Sequence, residues 1–581
     1  MGSRAKKERL PLAKGKVSLG NKLAFACGDI FGGGSFNIIN FLFTPFLTLM
    51  VGIPMVWLTP ILLLTKIWDG IIDPFIGKIT DAKKQGRFGK RRFFMLICAP
   101  LVLVGFVLLF FPWNILNVSV AWRCVFVVIV YMLYATAQSF VLIPYYSHAS
   151  EMTDDFNERN NVNAVRLGFS ILSSLICVAV PGMIAGPEKG PTSYILMASA
   201  FGFVFMASIL ITALFSREQV KTPPVKTKFN LKEFVRPLKM GTYRRYLGMQ
   251  MCASFGMAVM SSFFFTLCDF YLRRNSYLAV TGGDATSRFP IATIAAAAMF
   301  VAQIIALPIY LKLIKVKSKR FAYITGAIAW IVVAAAMLLL PAEGKTTIKD
   351  GVVSTVEGAP NAILIMFGLL LGLGIGGTVF VPHSSFGDVC DVGELYFGER
   401  TEGNFSGLTN FLNTTAQAVG LAIPPLIIGL TGYVETQNLT AAEYAEVLKA
   451  GGIEVGTITK QFFDLDGHFS TVILDNGSVQ LIPLFQPTAA QLAIKLTFIL
   501  LPIVVLAFAI WIASRYKVTS KLQKQIVELN ARTDKDSDDY AEQRVALLKE
   551  VGENVNKLPQ IVPEQVALDI DDTTATDATD K

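Results

Sequence analysis

Apolar residues along this chain gather into long unbroken runs, separated by brief polar segments, instead of the short periodic stretches of a water-soluble core. A helix crossing a hydrocarbon core of about 30 Å needs about 20 mainly apolar residues. Runs of that length occur at 23–50, 56–81, 93–112, 121–149, 163–186, 193–215, 245–272, 289–314, 320–341, 361–389, 403–433 and 488–515. The predicted fold class is therefore an all-α polytopic membrane protein with twelve transmembrane helices in two six-helix bundles. The division falls at 216–244, a polar loop carrying Pro223, Pro224 and many lysines. It separates a first bundle (23–215) from a second (245–515), with an N-terminal segment at 1–22 and a tail at 516–581.

Two insertions interrupt the second bundle, at 342–360 and 434–487. Each carries a hairpin signal, Asp350-Gly351 in the first and Asn476-Gly477 in the second, flanked by β-formers. The expectation is that the two hairpins form one small sheet on the outer surface. In the tail, 518–552 reads as a helix and Asp569 to Asp580 as an acidic, Thr-rich end of disordered composition.

Composition agrees with the pattern. The 581 residues are 53% hydrophobic, include 43 Phe, and are only 16% charged, against about 25% in soluble domains. The formal charge of +9 resembles a nucleic-acid signal until the cations are placed. They cluster in 1–22, in 82–92 (Lys83, Lys84, Arg87, Lys90, Arg91, Arg92), in 216–244 and in 315–320, while the alternate loops are nearly free of them. That asymmetry puts both termini in the cytoplasm of a plasma-membrane protein, and no nucleic-acid partner is expected. Residues 1–22 are polar and basic, so the first run is expected to be its own start signal. The seven Cys lie in apolar runs with no CxxC pair or His cluster, which makes a disulfide framework or zinc site unexpected. A phosphate-cradling loop, a His-Glu-x-x-His helix and a nucleophile elbow are all missing from the sequence. Gly372 to Gly377 lies inside a run without a preceding strand and reads as helix packing or a flexible point. No enzymatic activity, cofactor or obligate protein partner is expected.

Ionisable residues inside the runs cost at least a few kcal/mol each on insertion scales, so each is a functional candidate. In Lys66-Ile-Trp-Asp69-Gly-Ile-Ile-Asp73-Pro74 the two carboxylates stand four apart on one helix face, near mid-membrane. Such a pair repels unless a cation is shared, as a monovalent-cation site (Na+) or a proton carrier requires. The alternative is that Asp73 caps a break before Pro74 while Asp69 pairs with Lys66. Asp29 precedes Gly32-Gly33-Gly34, and Arg166 opens the fifth run, where a snorkelling interfacial cation is the competing reading. Asp388, Asp391, Glu394 and Arg400 follow the tenth run and read as a cytoplasmic salt-bridge network. Trp68, Tyr145 and Tyr146 offer rings for stacking, His148 and His383 read as packing histidines, and Asp269 and Lys495 near the outer ends are left unassigned.

The stretch Lys66 to Gly77, Asp81, and the basic loop Gly86-Arg-Phe-Gly-Lys-Arg-Arg92 resemble the glycoside-pentoside-hexuronide:cation symporters, the melibiose permease-like group of the major facilitator superfamily. The likeness continues through Ile143-Pro-Tyr-Tyr146, Glu158-Arg159, Arg166, Gly387 to Glu394 and Arg400-Thr-Glu402. The resemblance implies the major facilitator fold and alternating-access symport of a sugar with Na+ or H+. It also implies a cation site at Asp69, Asp73 and Ser139, substrate contacts at Asp29, Arg166 and Tyr146, and a gating network of Asp81, Arg91, Asp388, Asp391, Glu394 and Arg400. Three positions depart from the pattern: Leu142 replaces an aspartate, Tyr146 a tryptophan and Thr414 a lysine. The lost acid and lost base cancel, so three acids against one base predict a cavity of charge about −2, which attracts a cation. A carrier of lipid-like or anionic (hexuronate-type) substrates and a non-transporting sensor are the alternatives.

Overall fold

The computed structural model describes residues 16–83, 86, 89–116, 118–153, 156–186, 189–216, 231–271, 291–340, 347–349, 352–354, 361–398, 402–439, 441–450, 453–455, 461–463, 469–473, 479–483, 486–532 and 537–555. Among the described residues, twelve helices are long and apolar enough to cross a membrane. The first, α1 (Leu19–Met50), joins α-helical segments Leu19–Cys27 and Asp29–Pro45 to a π-helical turn Phe46–Met50. The first bundle continues with α2 (Met55–Ala82), α3 (Arg92–Leu109), α4 (Val120–Met152), α5 (Phe156–Ala179) and α6 (Pro191–Phe215). The second comprises α7 (Gly241–Phe270), α8 (Ile291–Val316), α9 (Lys319–Ala336), α10 (Asn361–Phe397), α11 (Glu402–Gly429) and α12 (Thr488–Ala513). An even number of crossings puts residues 16 and 555 on one side, the terminal face, and the strand insertions on the other, the hairpin face.

Lipid gives helices no hydrophobic reason to associate, so contact depends on close van der Waals approach through small residues. Gly368, Gly372 and Gly376 recur every fourth residue of α10 and face α8, where an added Cβ would overlap Ala295, Met299, Ala302 or Ala306. On another side of α10, Gly374 makes room for Trp330 of α9. The Gly372–Gly377 stretch is therefore a packing surface. Across the halves, α2 packs on α11, α1 on α7 and α5 on α8. Polar contacts fasten them at the hairpin face: Met55 N–H donates to Glu435 Oε1 (3.2 Å), Thr59 Oγ1 to the Ala422 carbonyl (2.9 Å), Thr436 Oγ1 to the Leu49 carbonyl (3.2 Å), and Thr44 Oγ1 lies 2.8 Å from Ser262 Oγ.

Both predicted hairpins are present but do not share a sheet. Strands β1 (Thr347–Lys349) and β2 (Val352–Ser354) pair only with each other among the described residues. After β3 (Gln437–Leu439), the second insertion forms a pair from β4 (Ile453–Val455) and β5 (Gln461–Phe463) and a hairpin from β6 (Phe469–Ile473) and β7 (Val479–Pro483). The free edge of β7 is taken by β3, with Leu439 opposite Val479. Gln486 explains this choice: its side chain accepts from Val434 N–H (2.8 Å) and donates to the Val434 carbonyl (2.9 Å), tying the two ends of the insertion together.

The tail departs from its predicted single helix, forming α13 (Ser520–Asn530) and α14 (Asp538–Val551); the acidic end lies outside the described residues. Both pack on α10, which runs eight residues past its predicted end at 389. Asp388, Asp391 and Glu394 therefore sit on that helix instead of following it. The tail satisfies what would otherwise be an unsupported helix end. Arg544 donates to the carbonyls of Leu395 (2.8 Å) and Tyr396 (2.9 Å), and Glu553 accepts from the N–H groups of Gly241 (2.8 Å) and Thr242 (2.6 Å) at the start of α7. A cation thus caps one helix C-terminus and an anion caps one N-terminus, matching both helix dipoles. Glu553→Ala is expected to cost about 1–2 kcal/mol of local stability, read as a lower thermal midpoint that Glu553→Gln largely restores.

At the start of α5, Glu158 accepts from Val17 N–H (2.9 Å) and pairs with Lys22 Nζ (2.9 Å), which accounts for about two extra turns before the predicted start at 163. The Lys22 ammonium and the Val17 N–H hold the Glu158 carboxyl down to about 2 from an ordinary 4.5. A depressed folded value means that this stabilisation is complete above about pH 4.5 and lost as pH falls toward 2. Glu158→Gln should lower the thermal midpoint of the solubilised chain at pH 7, with the difference from wild type shrinking progressively below pH 4.5.

Candidate functional site

The mid-membrane acids of α2 face α4. Ser139 Oγ donates to Asp73 Oδ1 (2.6 Å) and lies 3.4 Å from Asp69 Oδ1, so one hydroxyl stands between both carboxylates. Having one proton, it satisfies the nearer acid and leaves the farther one short of a donor from this hydroxyl. The other oxygen of Asp69, Oδ2, points to Lys66 Nζ at 3.9 Å. Lys66 is 4% exposed, lies 5.4 Å from the centre of the Phe36 ring of α1 and has Tyr131 of α4 beside it. The Asp69–Lys66 pairing weighed from spacing is present, and so is the convergence of Asp69, Asp73 and Ser139.

A second cluster lies toward the terminal face. Arg166 Nε of α5 is 3.8 Å from Asp29 Oδ2 of α1, too long for a hydrogen bond, and the guanidinium carbon sits 5.1 Å from the centre of the Tyr146 ring. Glycine makes this proximity possible: a Cβ on Gly33 would run into Ser170 of α5, and one on Gly32 into Asp29 itself with the Tyr146 hydroxyl and Leu142 alongside. Arg166 thus pairs inward instead of snorkelling. Tyr146 is 46% exposed, whereas Tyr145 is buried, stacks on Phe25 and donates to its carbonyl (3.0 Å). Trp68 Nε1 donates to Thr136 Oγ1 (3.0 Å), and His148 Nε2 lies 2.9 Å from Ser216 Oγ. Of the three rings singled out, only Tyr146 combines exposure with the charged pair.

Helix geometry links the clusters. Ser139, Leu142 and Tyr146 follow an i, i+3, i+7 spacing, one face of α4, with the hydroxyl and the ring about 10 Å apart along the axis. Of the predicted gating residues, Asp388, Asp391 and Glu394 share about the last three turns of α10. Asp388 pairs with Lys319 Nζ (2.6 Å), Asp391 receives Gln523 Nε2 (3.2 Å) and the Asn530 side chain at its carbonyl (2.9 Å), and Arg91 donates to Thr80 Oγ1 (3.3 Å). Glu394 lies on α10, Asp81 is in the last turn of α2, and Arg400 lies outside the described residues. At the hairpin face the unassigned Lys495 donates to the Tyr271 hydroxyl (2.7 Å) and to the carbonyls of Leu338 (2.8 Å) and Leu340 (3.0 Å), capping the end of α9 and its 3-10 extension Met337–Leu339.

Lys66, expected only as a pairing partner of Asp69, is a third charged member of the Asp69/Asp73 cluster. Three acids (Asp29, Asp69, Asp73) against two bases (Arg166, Lys66) give a formal charge of −1, not the predicted −2. The signal was present, because the rule that singles out Asp69 applies equally to a lysine one turn away in the same span.

Twelve crossings in two bundles, with paired polar clusters between charged helices, define a membrane transporter of the major facilitator type. The chain belongs to the family of MFS/sugar transport proteins, which it matches over residues 24–453. It is 24% identical to an uncharacterized symporter of Synechocystis sp. over 72% of this chain and 86% of that one. It is also 24% identical to a glucuronide carrier protein homolog of Escherichia coli, over 72% and 85%. A sodium-dependent lysophosphatidylcholine symporter 1 of Xenopus tropicalis is 26% identical over only 31% of this chain and 33% of its own length. The fold is shared with a solved variant of the nucleoside transporter NupG at a TM-score of 0.51 and 10% identity, covering 85% of this chain and 99% of that one.

Ser139→Ala removes the hydroxyl between the acids. On the cation-coupled reading proposed below, loss of one hydrogen bond to a charged group, worth about 1.5–3 kcal/mol, should weaken cation binding by roughly 10- to 100-fold, measured as the cation concentration giving half-maximal uptake.

Proposed function

We propose that the chain is a secondary symporter of the plasma membrane, with both termini cytoplasmic. It moves a sugar or glycoside together with Na+ or H+ by alternating access. The observation that carries this reading is the shared hydroxyl: Ser139 stands between Asp69 and Asp73 on the same α4 face that presents Tyr146 to Asp29 and Arg166. A monovalent cation among the two carboxylates and the hydroxyl removes their repulsion, which draws α2 against α4. Substrate hydroxyls meet Asp29 and Arg166 while Tyr146 lies under the ring. Because one helix carries a contact for each ligand, occupancy of either site favours the geometry that the other needs, a reciprocal coupling. Rocking between faces then requires the four polar contacts at the hairpin face to break and re-form.

One observation favours an anionic hexuronate-type substrate as the second reading. Arg166 Nε has no hydrogen-bond partner among the described residues, so the guanidinium has a donor to offer a carboxylate, and one named relative is a glucuronide carrier homolog.

Counterflow in proteoliposomes with labelled neutral sugars, hexuronates and lysolipids, run with and without sodium and with a pH gradient, separates these substrates. Asp69→Asn or Asp73→Asn should abolish cation-dependent accumulation while surface expression survives. Normal cation dependence in both variants would sink the assignment.

A further inference from the structure

We propose that Lys66 is a tethered counter-cation of the Asp69/Asp73 site, setting its capacity at one monovalent charge and competing with the transported ion for Asp69. The inference rests on the cation-coupled reading above.

Three features of the geometry carry it. The two oxygens of Asp69 are divided, Oδ1 toward the hydroxyl of Ser139 that also serves Asp73 and Oδ2 toward Lys66, so the ammonium does not occupy the oxygen on the Ser139 side. The 3.9 Å separation lies beyond the roughly 2.7–3.2 Å of a made hydrogen bond. The pair is slack: the ammonium neutralises without being locked. Finally, Lys66 is 4% exposed, with a Phe36 ring and the Tyr131 phenol beside it, so it has no water to turn to and Asp69 is its carboxylate partner.

The charges then decide the stoichiometry. Asp69, Asp73 and Lys66 sum to −1, and one monovalent cation brings the site to neutrality. A second ion or a divalent ion overshoots. When the transported ion leaves, the flexible lysine stem lets the ammonium close on Asp69, so the empty carrier returns across the membrane with one uncompensated charge instead of two. Asp29 and Arg166 already compensate one another and do not enter this balance.

The test uses the purified full-length chain and reads thermal stabilisation by sodium chloride against choline chloride, with lithium chloride, calcium chloride and pH titrations in parallel. Lys66→Gln removes the competitor and should tighten sodium binding roughly tenfold or more, while calcium, inert toward wild type, becomes stabilising. Lys66→Arg should do the opposite, weakening sodium binding several-fold, because a planar fork grips Asp69 more firmly than a point charge. A lysine that merely holds the helices together predicts weaker sodium binding in Lys66→Gln, and that result overturns the proposal. If Lys66→Gln does not fold, Lys66→Arg decides alone: weaker binding supports competition, and unchanged or tighter binding overturns it. Should wild type respond to none of sodium, lithium and protons, the cation reading falls and takes the inference with it. That outcome is distinct from a sodium-responsive protein indifferent to residue 66.

Discussion

Two carboxylates one helical turn apart in the middle of a membrane are the constraint on which this molecule turns. Asp69 Oδ1 and Asp73 Oδ1 both lie within reach of a single hydroxyl, so they are at most about 6 Å apart, where two like charges repel by about 3 kcal/mol at an effective dielectric near 20. No ordinary helix packing offsets that. The protein answers from two directions, with a hydroxyl from α4 and an ammonium from the preceding turn of α2. Both are built in and together fall short of neutrality. On the symport reading proposed above, that deficit is what a mobile cation makes good, and its departure is costly enough to couple to the movement of a second ligand.

The rest of the fold serves to keep those groups in place while the halves move. Glycine on α10 brings backbones into contact with α8, and glycine on α1 lets α5 approach so that Arg166 reaches Asp29. Close packing of this kind is stiff, so the proposed alternating access would act at the boundary between bundles, where polar contacts such as Thr59 with Ala422 join the halves. The tail adds stiffness of another type. By capping the start of α7 and the end of α10 with charges of matching sign, α13, α14 and Glu553 brace the terminal-face ends of two helices of one half.

Much of this was legible in the chain. Hydropathy alone places the spans, because lipid tolerates little else than helix and the length is dictated by the bilayer. Asp69 and Asp73 were legible because a four-residue spacing places two side chains on one face whatever the surroundings. What escaped shares one cause, dependence on a partner distant in sequence. The last turns of α10 read as a loop because Asp388, Asp391 and Glu394 are polar; they are helical because α13 and α14 cover them, and those helices begin more than a hundred residues later. The pairing of β3 with β7 depends on Gln486 closing the insertion. Whether Lys66 turns toward Asp69 or toward lipid headgroups depends on Phe36 and Tyr131, which lie on other helices.

The two clusters also differ in how they are balanced, and on the symport reading proposed above the difference fits them to separate tasks. Asp29 and Arg166 are equal and opposite, loosely joined at 3.8 Å, with an exposed tyrosine ring beside them. A balanced, slack pair gives up little when it opens to admit a neutral polyol, because each partner exchanges one ionic neighbour for hydroxyls that satisfy both donor and acceptor. The Asp69 cluster is unbalanced by one charge and its nearest rings, Phe36 and Tyr131, are taken up by Lys66, so on that reading it suits an ion and not a ring. Placing the balanced cluster where Tyr146 is exposed and the unbalanced one a further two turns along α4 separates ligand from ion by about 10 Å, close enough for one helix to feel both. A departure such as Leu142, between the two levels, removes a group that would have served both at once. It leaves helix displacement, and not a shared ligand, as the means by which one site reports to the other.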